Sequence, residues 1–262
     1  MNVPSLIVTA SPHVKDDDST PRIMWTVVAS LVPVIAGSAF FFGVSALLVI
    51  FAATLGALLT ERFLGRPRSL RDGSAMITGL LLGLCLPPGI PLWMAFLGSV
   101  FGIGFGKVIW GGLGQNVFNP ALIGRAFLQT AFPLAITTWP RPGGNFYALK
   151  GDLFAFPFMH PVSDVVTSAT PLGLFKFEQK LTPIVDLVLG TTGGSAGETS
   201  AVIILLCGAF LAWKGYLNWR SPVSILVTVV VASQLLHLVD GKYPDGLFMV
   251  FSGGLMLGAV YM

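Results

Sequence analysis

The residues of this chain that could do chemistry gather in a few places. The longest polar stretch contains His160-Pro-Val-Ser-Asp164-Val-Val-Thr167-Ser168-Ala169-Thr170-Pro171. Its hydroxyls are small. Pro171 holds Thr170 in an extended conformation and leaves its side chain presentable. No His–Ser or Cys–His arrangement stands behind a nucleophile, and no HExxH or CxxC spacing suggests a metal. On residue types alone this is an unexplained polar loop. Elsewhere, Asn119 precedes Pro120, a favoured first helical residue, and so caps a helix. The free N–H groups of that helix could hold a phosphate or the polar edge of a ring, or the segment is a plain connecting turn. Arg125 lies six residues further on, inside an apolar helix. A charge there is expensive and usually functional, unless it snorkels to the near interface. His237 reads as an interface residue. Glu61 and Asp72 read as loop or helix-end charges, with a cation path as the alternative. Cys85 and Cys207 sit in apolar runs and read as buried thiols.

The elements that carry these residues belong to a membrane protein. Of 262 residues, 54% are hydrophobic and only 10% charged, and the mean hydropathy is +0.81. Soluble globular domains carry about 25% charged residues, so a soluble enzyme or a nucleic-acid module is excluded. The net charge of +3 reflects topology rather than nucleic-acid binding. Eight hydrophobic segments are expected: residues 24–42, 45–62, 74–86, 91–107, 119–139, 200–213, 223–239 and 247–262. The third is too short to cross as a regular helix and stops at Leu86-Pro87-Pro88-Gly89. A second break falls at 111–119. Backbone groups freed in such breaks must meet protein or a water-lined cavity.

Residues 1–22 lack the features of a signal peptide and read as a cytoplasmic leader. With the N-terminus inside, Lys15, Arg22, Arg62, Arg66, Arg68, Arg71, Lys107, Lys214 and Arg220 fall on the cytoplasmic side, as the positive-inside rule requires. Residues 140–199 then form an extracytoplasmic loop. Asp72-Gly73 and Asp245-Gly246 each open a hydrophobic segment with glycines spaced among leucines. With opposite orientations they suggest an inverted repeat; two ordinary helices with acidic starts are the alternative. The fold expected is an all-α polytopic helix bundle with broken helices and inverted five-helix repeats. Residues 23–139 form the first repeat, of five segments. Residues 200–262 form an incomplete second repeat, of three, as if the sequence stopped short.

Asp164-x-x-Thr167-Ser168-Ala169-Thr170 resembles the flavinylation motif Asp-x-x-(Ser/Thr)-(Gly/Ser/Ala)-Ala-Thr. Together with Ser11-Pro-His, Leu70-Arg-Asp-Gly-Ser-Ala, Thr78-Gly-Leu-Leu-Leu, Leu86-Pro-Pro, Gly111-Gly-Leu-Gly and Asn119-Pro-Ala, in order along the chain, it resembles the RnfD family, the D subunits of the Rnf complex. That complex is the ion-translocating ferredoxin:NAD oxidoreductase. The likeness to the B subunit of the sodium-translocating NADH:quinone oxidoreductase (the NqrB branch) is more distant. The resemblance implies an electron-transfer subunit in the inner (cytoplasmic) membrane of a bacterial or archaeal cell, working only within its complex. It implies FMN on Thr170 through a phosphoester, with Asp164, Thr167, Ser168 and Ala169 as the motif read by a flavin transferase. It also implies riboflavin bound noncovalently; the breaks near Pro87 and Asn119, with Arg125, are candidates for that site or for an ion path. Partners are the other membrane, flavin and iron–sulfur subunits and the bilayer, and electron flow is coupled to Na⁺ or H⁺ movement. Two departures stand out: Ser168 replaces a common Gly, and family members continue beyond Met262. The alternatives are the quinone-reducing pump component and a small-solute channel or transporter, since broken inverted repeats recur there.

Overall fold

A computed structural model describes residues 18–65, 69–157, 159, 169–198 and 200–262. All regular structure among them is helical. Helix α1 (Thr20–Phe42) opens with Pro21 in its first turn and ends at Gly43. Gly43 has φ +71°, and its turn is so close to Phe146 that a Cβ would strike that carbonyl; Val44 N–H donates to the same oxygen at 3.0 Å. Only glycine satisfies both demands. Helix α2 (Val44–Leu64) follows at once. A 3₁₀ turn (Ser69–Asp72) leads into α3 (Ser74–Cys85).

Helix α3 stops where Pro87 and Pro88 forbid continuation. Helix α4 (Leu92–Ile103) resumes beyond the break and runs into a π-helical turn (Gly104–Val108). Helices α5 (Pro120–Ala131) and α6 (Pro133–Thr137) split the fifth expected segment at Phe132, ahead of Pro133. The connecting region contains α7 (Pro171–Glu178) and α8 (Ile184–Leu189). Helices α9 (Ala201–Trp213) and α10 (Arg220–Val239) come next. The last expected segment is also broken, into α11 (Gly246–Phe251) and α12 (Leu255–Tyr261), at Ser252-Gly253-Gly254.

Helices α1, α2 and α10 are each long and apolar enough to cross a bilayer. Phe40, Leu238 and Val239 are exposed at 81%, 74% and 84%, a surface that suits lipid or protein and not water. The chain is an all-α polytopic membrane protein. Its centre is α2, which packs against both α3 and α4. Small residues make this possible, since apolar burial does not drive helices together in lipid and close packing must. A Cβ on Gly83 would lie 2.6 Å from Ile50 Cα, and Gly79 abuts Thr54 in the same way. The α4–α5 seam repeats the device: Gly98 O is 2.5 Å from where a Gly124 Cβ would stand.

The two Asp-Gly pairs act alike at their helix starts. Asp72 Oδ1 accepts from Ser74 N–H at 2.8 Å, and Asp245 Oδ1 accepts from Phe248 N–H at 2.9 Å. The helices then differ. Helix α3 runs 12 residues, whereas α11 runs 6 before its break.

Candidate functional site

The break after α3 leaves carbonyls that its own helix cannot satisfy. The end of the polar insertion supplies the donors. Ala196 N–H donates to Leu86 O at 3.0 Å and Gly197 N–H to Leu84 O at 2.6 Å. Ser195 and Ala196 are 1% and 0% exposed, so the insertion's last residues re-enter the bundle. This answers the requirement that broken backbone find protein partners within the membrane.

Arg125 is brought to this crossing by α5. Its guanidinium interacts with the Cys85 thiol at the end of α3 and with Glu198. A Cβ on Gly254, in the α11–α12 break, would lie 3.4 Å from Glu198 Oε1 and 3.9 Å from Arg125 Nη1. Arg125 therefore points to where both helix breaks meet. Glu198, which falls within residues 140–199 read above as an extracytoplasmic loop, belongs to this inner cluster. The run Gly193-Gly194-Ser195-Ala196-Gly197 before it was the available signal: small residues that let backbone approach backbone.

Thr170 is the N-cap of α7. Its backbone is extended (φ −66°, ψ 155°) and its Oγ1 accepts from Gly173 N–H at 3.1 Å. Thr170 is half-buried and Ala169 exposed. Asp164, Thr167 and Ser168 lie outside the described residues. Helix α7 touches the bundle through side chains: Leu172 Cδ1 lies 3.3 Å from where a Gly253 Cβ would be, and the Phe175 and Phe248 rings are 5.7 Å apart. The flavinylation-like threonine thus begins a short helix that leans on the same break that Arg125 and Glu198 face.

Asn119 caps α5, its Oδ1 accepting from Ala121 N–H at 2.9 Å. It also lines a cavity of about 320 Å³. Ser74, Lys107, Asn116 and Tyr261 give this cavity polar edges; Met24, Ile77, Leu81, Val117 and Phe118 give it apolar walls. Arg125 is not among its lining residues. A second, more apolar cavity of about 600 Å³ opens beside Gly89, Trp93, Phe132 and Thr138.

Glu61 and Lys107 depart most from expectation. Glu61 is 2% exposed, not a free helix-end charge, and Lys107 is also 2% exposed, not a solvated flank. Lys107 Nζ donates to Glu61 Oε1 at 2.8 Å and to Ser74 Oγ at 2.6 Å. Ser74 Oγ in turn donates to Asp72 Oδ1. The pairing spans three elements, so no single stretch of sequence displays it. The π-turn that carries Lys107 is the kind of helix defect that gathers at functional sites. His237 is half-buried near the end of α10, its Nδ1 against Tyr243 O.

Comparison with known proteins now adds identity to geometry. A profile of the NQR2, RnfD, RnfE family matches residues 7–262. The D subunit of the proton-translocating ferredoxin:NAD(+) oxidoreductase complex of Clostridium ljungdahlii is 38% identical, over 97% of this chain and 77% of its own length. The D subunit of the Na(+)-translocating complex of Acetobacterium woodii is 36% identical, over 100% and 77%. The D subunit of the ion-translocating oxidoreductase complex of Stutzerimonas stutzeri is 40% identical, over 93% and 75%. Matches of this extent, together with the all-helical membrane fold, place the chain in the NQR2, RnfD, RnfE family, among the D subunits of the Rnf complex.

Proposed function

We propose that this chain is the membrane electron-transfer subunit of an ion-translocating ferredoxin:NAD oxidoreductase, and that it carries FMN as a phosphoester on Thr170. The single observation that supports this most is the position of Thr170 at the N-terminus of α7. An ester phosphate on that oxygen meets the positive end of a helix and the free N–H groups of its first turn. The residues present fit the group: a hydroxyl, an extended acceptor segment and a first turn without acidic side chains. Bound there, the isoalloxazine supplies one- and two-electron chemistry, while the protein anchors and orients it. Covalent attachment keeps the group from being lost to water outside the cell. A flavin transferase recognising Asp164-to-Thr170 installs it.

The cavity between Asn116, Asn119, Lys107 and Tyr261 is the seat for a noncovalent riboflavin. Its volume falls at the low end of ligand pockets, roughly 300–1,000 Å³. Asn side chains offer a donor and an acceptor to a ring edge, and the apolar walls take its faces. The protein sits in the inner membrane with its N-terminus in the cytoplasm and α7 outside, joined to the other Rnf subunits, and couples electron flow to Na⁺ or H⁺ movement. The test is a denaturing gel of protein matured in its native host. A yellow fluorescent band at this chain's mass is expected, and its loss in Thr170→Ala. A band that survives that substitution overturns the assignment.

A further inference from the structure

The Glu61–Lys107 pair is a charge arrangement that packing alone does not call for. A buried ion pair is often no more stabilising than well-packed apolar residues of the same volume, so its presence asks for another reason. Three observations supply one. Glu61 Oε2 is buried and has no hydrogen-bond partner among the described residues, so the full desolvation penalty of that oxygen is left uncompensated. Lys107 sits on a π-turn, where one extra residue per turn is accommodated and the backbone is easily remodelled. Lys107 and its partner Ser74 both line the cavity beside Asn119. The ammonium therefore stands between a carboxylate with one idle oxygen and a chamber where a ligand would sit.

We infer that Lys107 and Glu61 form a charge-coupled proton acceptor: negative charge arriving in the cavity draws Lys107 away from Glu61, and Glu61 takes up one proton on Oε2. The step balances. One electron enters the cavity from a one-electron donor of the complex, an iron–sulfur or flavin centre. Lys107 keeps its three protons and loses its hydrogen bond to Glu61 Oε1. One O–H bond forms on Glu61 as one O–H bond of a hydronium ion at this end of the bundle breaks, leaving water. No bond within the protein breaks. A buried carboxylate that loses its counter-ion is neutralised rather than left charged. Among the described residues, the hydrogen-bonded chain at Glu61 comprises Lys107 from the π-turn and, through Ser74, Asp72 from the 3₁₀ turn, with Tyr261 lining the same cavity. Within this hydrogen-bonded chain one cation faces two carboxylates, so an arriving electron favours uptake of a cation there.

This inference rests on the noncovalent ring lying in the Asn119 cavity, and the test separates the two. The assembled complex is reduced with dithionite and its infrared difference spectrum recorded, with flavin content measured on the same sample. The expected result is a new carboxylic-acid carbonyl band on reduction, shifted in deuterium oxide. The band is lost in Glu61→Gln and moved in Glu61→Asp. In Lys107→Gln the acid band is expected before reduction, with no further change on it. If the noncovalent flavin is present and reduced but no such band forms, the proton acceptor is refuted and the cavity reading stands. If that flavin is absent from the protein, the cavity reading fails and the inference with it. Reduction-linked uptake of sodium without an acid band also refutes it, and gives the role to a metal ion.

Discussion

Two regions of this molecule hold polar groups in opposite ways. At Glu61 and Lys107, charges are locked between α2, α3 and the π-turn, with almost no access to solvent. At Thr170, a neutral hydroxyl starts a short helix held to the bundle by a few side-chain contacts. The difference matches the two proposed roles. A group that must respond to charge belongs where the dielectric is low and each charge is felt strongly. A group that must be reached by a modifying enzyme belongs on a lightly docked segment with open backbone. The Arg125–Glu198 cluster lies between these extremes, where the two helix breaks meet.

The comparison can be broken by substitution. The largest effect is expected from Lys107→Met, which removes the counter-ion of buried Glu61 and forces that carboxylate to take up a proton. The loss should be about 3–5 kcal/mol, read as a fall in the unfolding midpoint in detergent. Lys107→Met paired with Glu61→Leu should recover most of it, because removing both partners of a buried pair is close to neutral. A stable single variant would show that the pair is solvated after all.

Next comes Gly83→Leu. No side chain fits against Ile50, so α2 and α3 must part, and overpacking costs about 1–3 kcal/mol or more. Loss of folded yield or a lowered melting temperature would report it. Unchanged behaviour would show that the seam is looser than described. Asn119→Ala removes one helix cap, worth about 1 kcal/mol. If the cavity holds riboflavin, the same change should also cut retention of the extractable flavin more than its stability effect accounts for. Equal retention would remove Asn119 from the site.

The smallest effect on stability is expected at Thr170→Ala. It costs one cap on an eight-residue helix, at most about 1 kcal/mol, yet should abolish covalent flavin altogether. A large stability loss would mean that α7 is structural, and would blur the contrast drawn between the two regions.

The long apolar helices and two of the breaks were legible in the sequence, because lipid imposes long apolar runs and proline imposes stops. The turn at Gly43, the stop at Pro87 and the cap at Asn119 follow from local rules alone. The breaks at Phe132 and at Ser252–Gly254 fall inside runs expected to be continuous. Pro133 and the Gly253-Gly254 pair carried a local signal for them. Glu61 and Lys107 were not legible as a pair. Each stands near the end of an apolar segment, where a charge ordinarily meets water, and only the packing of α2, the start of α3 and the π-turn against one another closes that route. Glu198 was hidden for a similar reason: its backbone belongs to a polar stretch, but hydrogen bonds from Ala196 and Gly197 to the end of α3 draw that stretch inward. Long-range pairing of this kind depends on tertiary contacts that no local pattern displays.

The account depends above all on Thr170 being an esterified side chain. Mass spectrometry of the tryptic peptide that ends at Lys176, from protein matured in its native host, measures this most directly. The prediction is a mass increase equal to FMN less one water, localised by fragmentation to Thr170. A peptide of unmodified mass, from material whose flavin transferase is active, would contradict it.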